Sequence, residues 1–305
     1  MNRIKSSNVI SLTAALEMSE IFQYATGSFS PRYTAMIAPV LKAGQKTASP
    51  LIVQISQKEL ERYGITPFEF ADEFYKQVDD LAITVPVVLH LDHTKELQVI
   101  KDAIEAGFTS VMIDASEKPF EENVNITKEV VEYAHSKGVS VEAELGMIGT
   151  TDFIETDKDE ELYTDPVEAA DFVKQTGVDA LAVSCGTAHG VYMVREPKVD
   201  YGRLTAIREL TPVHLVLHGG SGVPSEMMQK AFQLPNGGVS KVNIATDLEL
   251  AFLGAINREE RMTNAECKLL PAEELLEGQN AVEETVVEKI TEFLLSNNKA
   301  SHFKL

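Results

Sequence analysis

Cysteine and positive charge are both scarce in this chain of 305 residues. Lys and Arg number 27 against 47 Asp and Glu, a formal net charge of −20. So anionic a surface repels a phosphate backbone, which argues against nucleic acid as a partner. An anionic small molecule entering the same protein would need a local positive centre, and a bound metal ion supplies one. The two cysteines, Cys185 and Cys267, are too few for a disulfide framework and point to a reducing, cytoplasmic setting. No apolar run approaches the roughly 20 residues of a membrane span, so no membrane partner is expected. The opening Met-Asn-Arg-Ile-Lys-Ser-Ser is not followed by an uninterrupted apolar stretch, so a secretory signal is not expected. Linkers, low-complexity tracts and internal repeats are also lacking.

What is present is short β-branched runs alternating with amphipathic stretches. The runs are 23–28, 51–55, 86–91, 109–113, 139–144, 179–184, 213–217 and 240–244. Between them lie helical patterns at 66–80, 95–106, 121–137, 165–176, 200–209 and 224–233. This strict alternation predicts an α/β fold, a closed parallel (β/α)8 TIM barrel with its helices outside. Periodicity cannot show closure, so a doubly wound open sheet is the other arrangement. An extra N-terminal helix is expected at 8–18 and a C-terminal amphipathic helix at 280–296. The whole chain, 1–305, is expected to be one domain with a helical extension over 260–305. Two long polar loops, 147–163 and 186–198, follow predicted strands and so lie on the face where barrels carry chemistry; loops of this kind are often lids.

Three of the seven histidines share one topological feature. His93 follows strand three, His189 follows strand six and His218 ends strand seven, so a barrel would turn all three into its mouth. Three neutral imidazoles and an open position suit a catalytic zinc ion; the alternative is three unrelated loop histidines. The glycines around them (186, 190, 219, 220 and 222) favour the metal, because backbone must approach something closely there. His90, inside the strand, reads as packed or supporting, and His135 and His302 as surface residues. Asp92 is either an acid/base at a substrate oxygen or the N-cap of the next helix. The turns His-Gly-Gly-Ser-Gly (218–222) and Asn-Ile-Ala-Thr-Asp (243–247) follow strands seven and eight, where barrels frequently bind phosphate through backbone N–H groups.

These residues also carry a resemblance. Val-Pro-Val-Val-Leu-His-Leu-Asp-His (85–93), Ala-Gly-Phe-Thr-Ser-Val-Met-Ile-Asp (106–114), Val-Ser-Val-Glu-Ala-Glu-Leu-Gly (139–146), Gly-Thr-Ala-His-Gly (186–190), Leu-Val-Leu-His-Gly-Gly-Ser-Gly (215–222) and Lys-Val-Asn-Ile-Ala-Thr-Asp (241–247) resemble, in order, the class II fructose-bisphosphate and tagatose-bisphosphate aldolases. The resemblance runs over roughly 20–255. It implies Zn2+ on His93, His189 and His218, with Asp114 and Glu144 at positions that can visit a second metal site. It also implies Asp92 as acid/base. Gly190, Gly219, Ser221, Asn243 and Thr246 would hold the C1 phosphate of a ketose, with Na+ or K+ nearby. Ser56 joins the substrate-binding set, and so does Arg32, which departs from the family pattern and would restore a positive charge from a new direction. The implied activity is a lyase reaction releasing dihydroxyacetone phosphate through a metal-stabilised enediolate, in a homodimer or homotetramer.

The chain also departs from that pattern. Asp152 stands where the family carries the loop glutamate that takes the carbon-bound proton, with Glu155 a second candidate. Phe29-Ser30-Pro31-Arg32 replaces Phe-Asn-x-Asn, Glu249 replaces a basic residue that helps bind the far phosphate, Met193 replaces a lysine, and Thr94 follows the Asp-His pair. Ala245 matches the tagatose-type subgroup. These changes leave the metal and C1-phosphate sites intact and alter the far end of the pocket. The expected substrate is fructose or tagatose 1,6-bisphosphate, or an atypical deoxy, uronate-like or sulfonated ketose phosphate. A catalytically silent sugar-phosphate-binding protein is the competing reading.

Overall fold

The structure is a computed structural model that describes residues 7–148, 162–188, 190 and 196–304. Eight parallel strands close on themselves in sequence order: β1 (Thr26–Phe29), β2 (Leu51–Ser56), β3 (Val87–Thr94), β4 (Ser110–Ile113), β5 (Ser140–Leu145), β6 (Ala180–Val183), β7 (His214–Leu217) and β8 (Val239–Ile244). Closure is made by β1 against β8, from Thr26 opposite Lys241 to Phe29 opposite Ile244. The open-sheet alternative is therefore overturned. Apart from the half-buried His93 and His214, every strand residue is buried, because helices cover the barrel outside while side chains fill it inside.

The outer helices are α2 (Ile37–Thr47), α3 (Gln57–Tyr63), α4 (Pro67–Asp80), α5 (Leu97–Ala106), α6 (Phe120–His135), α7 (Pro166–Thr176), α8 (Tyr201–Leu210), α9 (Ser225–Phe232) and α10 (Thr246–Ala255). Their starts follow local chemistry. Thr66 and Asp165 cap α4 and α7, each with proline at the first turn, and Ser56 forms a capping box with Glu59 on α3. The predicted N-terminal helix lies later than expected, at Leu12–Ile21 (α1), because Ser11 is its cap. At the other end α11 (Asn264–Lys268) precedes α12 (Ala272–Glu288), which begins eight residues before the expected 280 and packs on α2 and α10.

The barrel interior has two layers. At the bottom, Ile52, Val88, Met112, Ala180, Ala182 and Val216 meet Leu12, Ala15 and Leu16 of α1, which plugs that end. The alanines on β6 leave room for the plug. Above this layer the interior turns polar, with Gln54, His90, Glu142 and Lys241 all buried. Both cysteines are free and buried. No helix among the described residues is long and apolar enough to cross a membrane.

Candidate active site

Asp92 and His93 lie within β3, not after it, because that strand runs on to Thr94. The register against β4 shifts between Leu91 and Thr94. A bulge breaks the strict alternation of a strand, and here it lets neighbouring residues 92 and 93 both reach the cavity. Asp92 is not a helix cap: the N-cap of α5 is Glu96. His218 sits directly past β7, and its ring meets that of His93 edge to face, centroids 4.4 Å apart. His189, Asp152, Glu155 and Met193 lie outside the described residues, as do most of the two predicted lid loops.

Carboxylates surround the two imidazoles. His93 Nδ1 is 3.0 Å from Asp114 Oδ2 and 3.8 Å from Glu144 Oε2. His218 Nε2 is 2.9 Å from Glu142 Oε1, and its Nδ1 is 3.5 Å from Glu144 Oε2. Burial disfavours a charged His93, yet Asp92, Asp114 and Glu144 outweigh it and raise its pKa to about 10. The Asp114 carboxyl is held low against the penalty of burial by His93 and Ser116. This part of the cavity therefore draws positive charge.

A divalent cation fits the donor set. One ligand atom each from Asp92, His93 and His218, or from His93, Asp114 and Glu144, lie within 4.8 Å of one another. Glu144 Oε2 is buried between the two histidines with no hydrogen-bond partner among the described residues. Imidazole nitrogen with carboxylate oxygen suits zinc or a related transition ion.

Asp92 is held from two sides. Gln54 Nε2 donates to its Oδ2 at 3.1 Å, and Asn243 Nδ2 donates to its Oδ1 at 3.1 Å. Burial opposes its charge, but His93, His90 and Lys241 keep its pKa well below the usual range. Asn243 thus turns its amide to Asp92 and not to the glycine turn. It is fixed in turn by Lys241 Nζ, which donates to Asn243 Oδ1 at 2.7 Å and lies 2.8 Å from Glu142 Oε2. Lys241 and Glu142 are site residues that sequence reading missed. Burial would raise the Glu142 pKa, but Lys241 and His218 bring it down to about 2.

The glycine turn approaches its neighbour closely. Gly219 has φ 69°, and a Cβ there would lie 2.2 Å from the Ala188 carbonyl oxygen. Gly190, Gly219, Ser221 and Thr246 line a cavity of about 690 Å3 together with Asp92, His93 and Asn243. Ser221 Oγ accepts from the Asp247 N–H, which ties the turn to the N-terminus of α10. The expected phosphate residues thus share one cavity with the metal-site candidates. Arg32 and Ser56 line the same cavity, with Ser56 engaged in its capping box.

The family model for fructose-bisphosphate aldolase class II matches residues 10–299. A fructose-bisphosphate aldolase of Geobacillus stearothermophilus is 40% identical over 296 residues, which is 96% of this chain and 99% of that one. One of Staphylococcus aureus (strain Mu50) is 41% identical over 90% of this chain and 93% of its own length. Among solved structures, the YdjI aldolase of Escherichia coli K12 superposes with a TM-score of 0.78 at 31% identity, covering 96% of this chain and 99% of that one. A putative fructose-1,6-biphosphate aldolase of Coccidioides immitis gives 0.77 at 28% identity, over 97% of this chain and 99% of that one. With a family match over nearly its whole length and relatives this similar, the chain belongs to the class II fructose-bisphosphate aldolases, a family of lyases.

Proposed function

We propose that this protein is a zinc-dependent aldolase that reversibly cleaves a ketose phosphate to dihydroxyacetone phosphate and an aldehyde. The observation that carries the reading is the Asp92 carboxyl group, clamped by two donating amides beside the His93–His218 pair. His93, His189 and His218 would hold the ion, with Asp114 and Glu144 available for a second position. When bound, the ion supplies a Lewis acid for the negative charge that develops on the dihydroxyacetone phosphate half.

The chain's own groups account for the rest. Gly190, Gly219, Ser221 and Thr246 seat the phosphate at the start of α10, where N–H groups point outward. Asn243 lines the same space and holds Asp92. Asp92, its pKa held low by His93, His90 and Lys241, would take a proton from the hydroxyl at the bond being cleaved and return it in condensation. Removal of the carbon-bound proton is assigned to Asp152, from its place in the sequence. Na+ or K+ beside the phosphate belongs to the same reading. So do a cytoplasmic location, supported by the two free thiols, and a homodimer or homotetramer, supported by Leu269 and Leu276, which lie 83% and 54% exposed.

A coupled assay for dihydroxyacetone phosphate release across a ketose-phosphate panel tests the reading, together with deuterium exchange into dihydroxyacetone phosphate alone. Exchange that His218→Ala abolishes along with metal retention is the expected result. Tight phosphate binding with neither exchange nor cleavage would make the protein a silent binder instead.

A further inference from the structure

The part of the cavity lined by Arg32, Ser56 and Glu59 is backed by an ion network with no spare positive charge. Arg32, only 8% exposed, donates from Nε to Glu59 Oε1 at 3.1 Å and from Nη1 to Glu249 Oε2. Glu249 does not reach the cavity. It is also bonded by the Tyr63 hydroxyl at 2.9 Å and by Arg261, through Nε at 2.8 Å and Nη2 at 3.0 Å. Glu59 Oε2 accepts from Ser30 Oγ at 2.9 Å, from the Ser56 N–H at 2.9 Å and from Ser56 Oγ at 3.1 Å. Two guanidinium groups thus face two carboxylates, and their charges cancel.

Only Arg32, Glu59 and Ser56 of this network line the cavity. A phosphate placed against them would meet the Glu59 carboxylate. It would also have to draw Arg32 away from a Glu249 side chain that is only 4% exposed. Uncovering a buried carboxylate opposes that exchange. A hydroxyl meets no such penalty, since it can donate to Glu59 and accept from a guanidinium N–H not already used. Lys58 and Arg62 also line the cavity, but both are exposed, where water screens their pull on an anion.

We propose that this part of the site selects an uncharged, hydroxylated aldehyde, so that the substrate is a ketose 1-phosphate and not a bisphosphate. The proposal rests on the aldolase reading and narrows it.

The test is run on the full chain loaded with zinc, in the condensation direction at saturating dihydroxyacetone phosphate. Both enantiomers of glyceraldehyde are compared with both enantiomers of glyceraldehyde 3-phosphate. The expected result is a kcat/KM at least tenfold higher for the better unphosphorylated acceptor. Glu249→Gln, which removes one of the two balancing charges, is expected to shift the ratio at least tenfold toward the phosphorylated acceptor. Glu59→Gln is expected to shift it the same way and serves if the first variant does not fold. Deuterium exchange into dihydroxyacetone phosphate, which needs no acceptor, separates the two levels of the claim. Exchange with a wild-type preference for glyceraldehyde 3-phosphate, above all one lost in Lys58→Ala or Arg62→Ala, overturns this proposal alone. An acceptor ratio unmoved in both glutamate variants also overturns it. No exchange at all overturns the aldolase reading and this inference with it.

Discussion

A carboxylate with 5% exposure survives inside a barrel only if its surroundings offset the lost hydration, and Asp92 shows how that is done. Two side-chain amides donate to it, and Lys241 orients one of them through Asn243. Asp92→Asn keeps the size of the side chain and removes its charge and basicity. The expected outcome is a kcat lowered roughly 10²–10⁴-fold, the usual worth of a positioned acid/base. Zinc content is measured on the same purified variant, so that the loss of rate is read per bound ion. A rate within threefold of wild type would move the proton transfer to another group.

At the scale of elements, the barrel was legible because seven of its eight strands coincide closely with short, largely apolar runs that alternate with helical patterns. The first was misplaced at 23–28, since Gln23 has φ 52° and pairing begins only at Thr26. Helices α2, α3, α10 and α11 escaped the pattern. α2 carries Pro39 and Gly44, α3 follows β2 with no intervening loop, and α10, which packs along α12, has apolar residues around much of its circumference and so lacks one apolar stripe. In the site, His93 and His218 were readable from their place at strand ends and beside glycines. Glu142 and Lys241 were not, although a signal existed: Glu142 and Glu144, and Lys241 and Asn243, are polar pairs two apart in strands whose outer face is covered by helices. Such pairs must point inward. The plug α1 is locked by the same kind of charge. Glu20 Oε1 accepts from His214 Nδ1 at 2.8 Å, Arg208 Nη2 at 3.0 Å and Ser240 Oγ at 3.0 Å. Burial pushes the Glu20 pKa up, but His214, Arg208 and Ser240 together bring it below its ordinary 4.5. A depressed folded pKa adds stability that is fully present above the unfolded value and fades as pH falls below about 4.5. Glu20→Gln should therefore lower unfolding free energy by roughly 1–3 kcal/mol at pH 7. Urea melts should show that difference shrinking as pH drops from 5 toward 3. A deficit unchanged across that range would mean that the charge of Glu20 does not lock the plug.

For the molecule as a whole, the balance of charge favours binding a cation at the mouth of the barrel. The chain carries −20 overall, and Asp92, Asp114 and Glu144 converge on two imidazoles at the cavity. A cation bound there would relieve their mutual repulsion in the folded state. Unfolding would scatter the proposed ligands along the segments of β3 to β7 and their following turns, so an ion would bind the native chain far better than the unfolded one. Mass action then ties stability to free metal, adding about 2.7 kcal/mol when zinc stands a hundredfold above its Kd. Stripping the protein with a chelator should lower the melting temperature by several degrees and abolish turnover, and added zinc should restore both. In His218→Ala the chelator should leave the melting temperature almost unmoved, because the ion no longer has its site. A wild-type melting curve indifferent to chelator and to added zinc would show that the ligands do not share an ion, whatever the turnover.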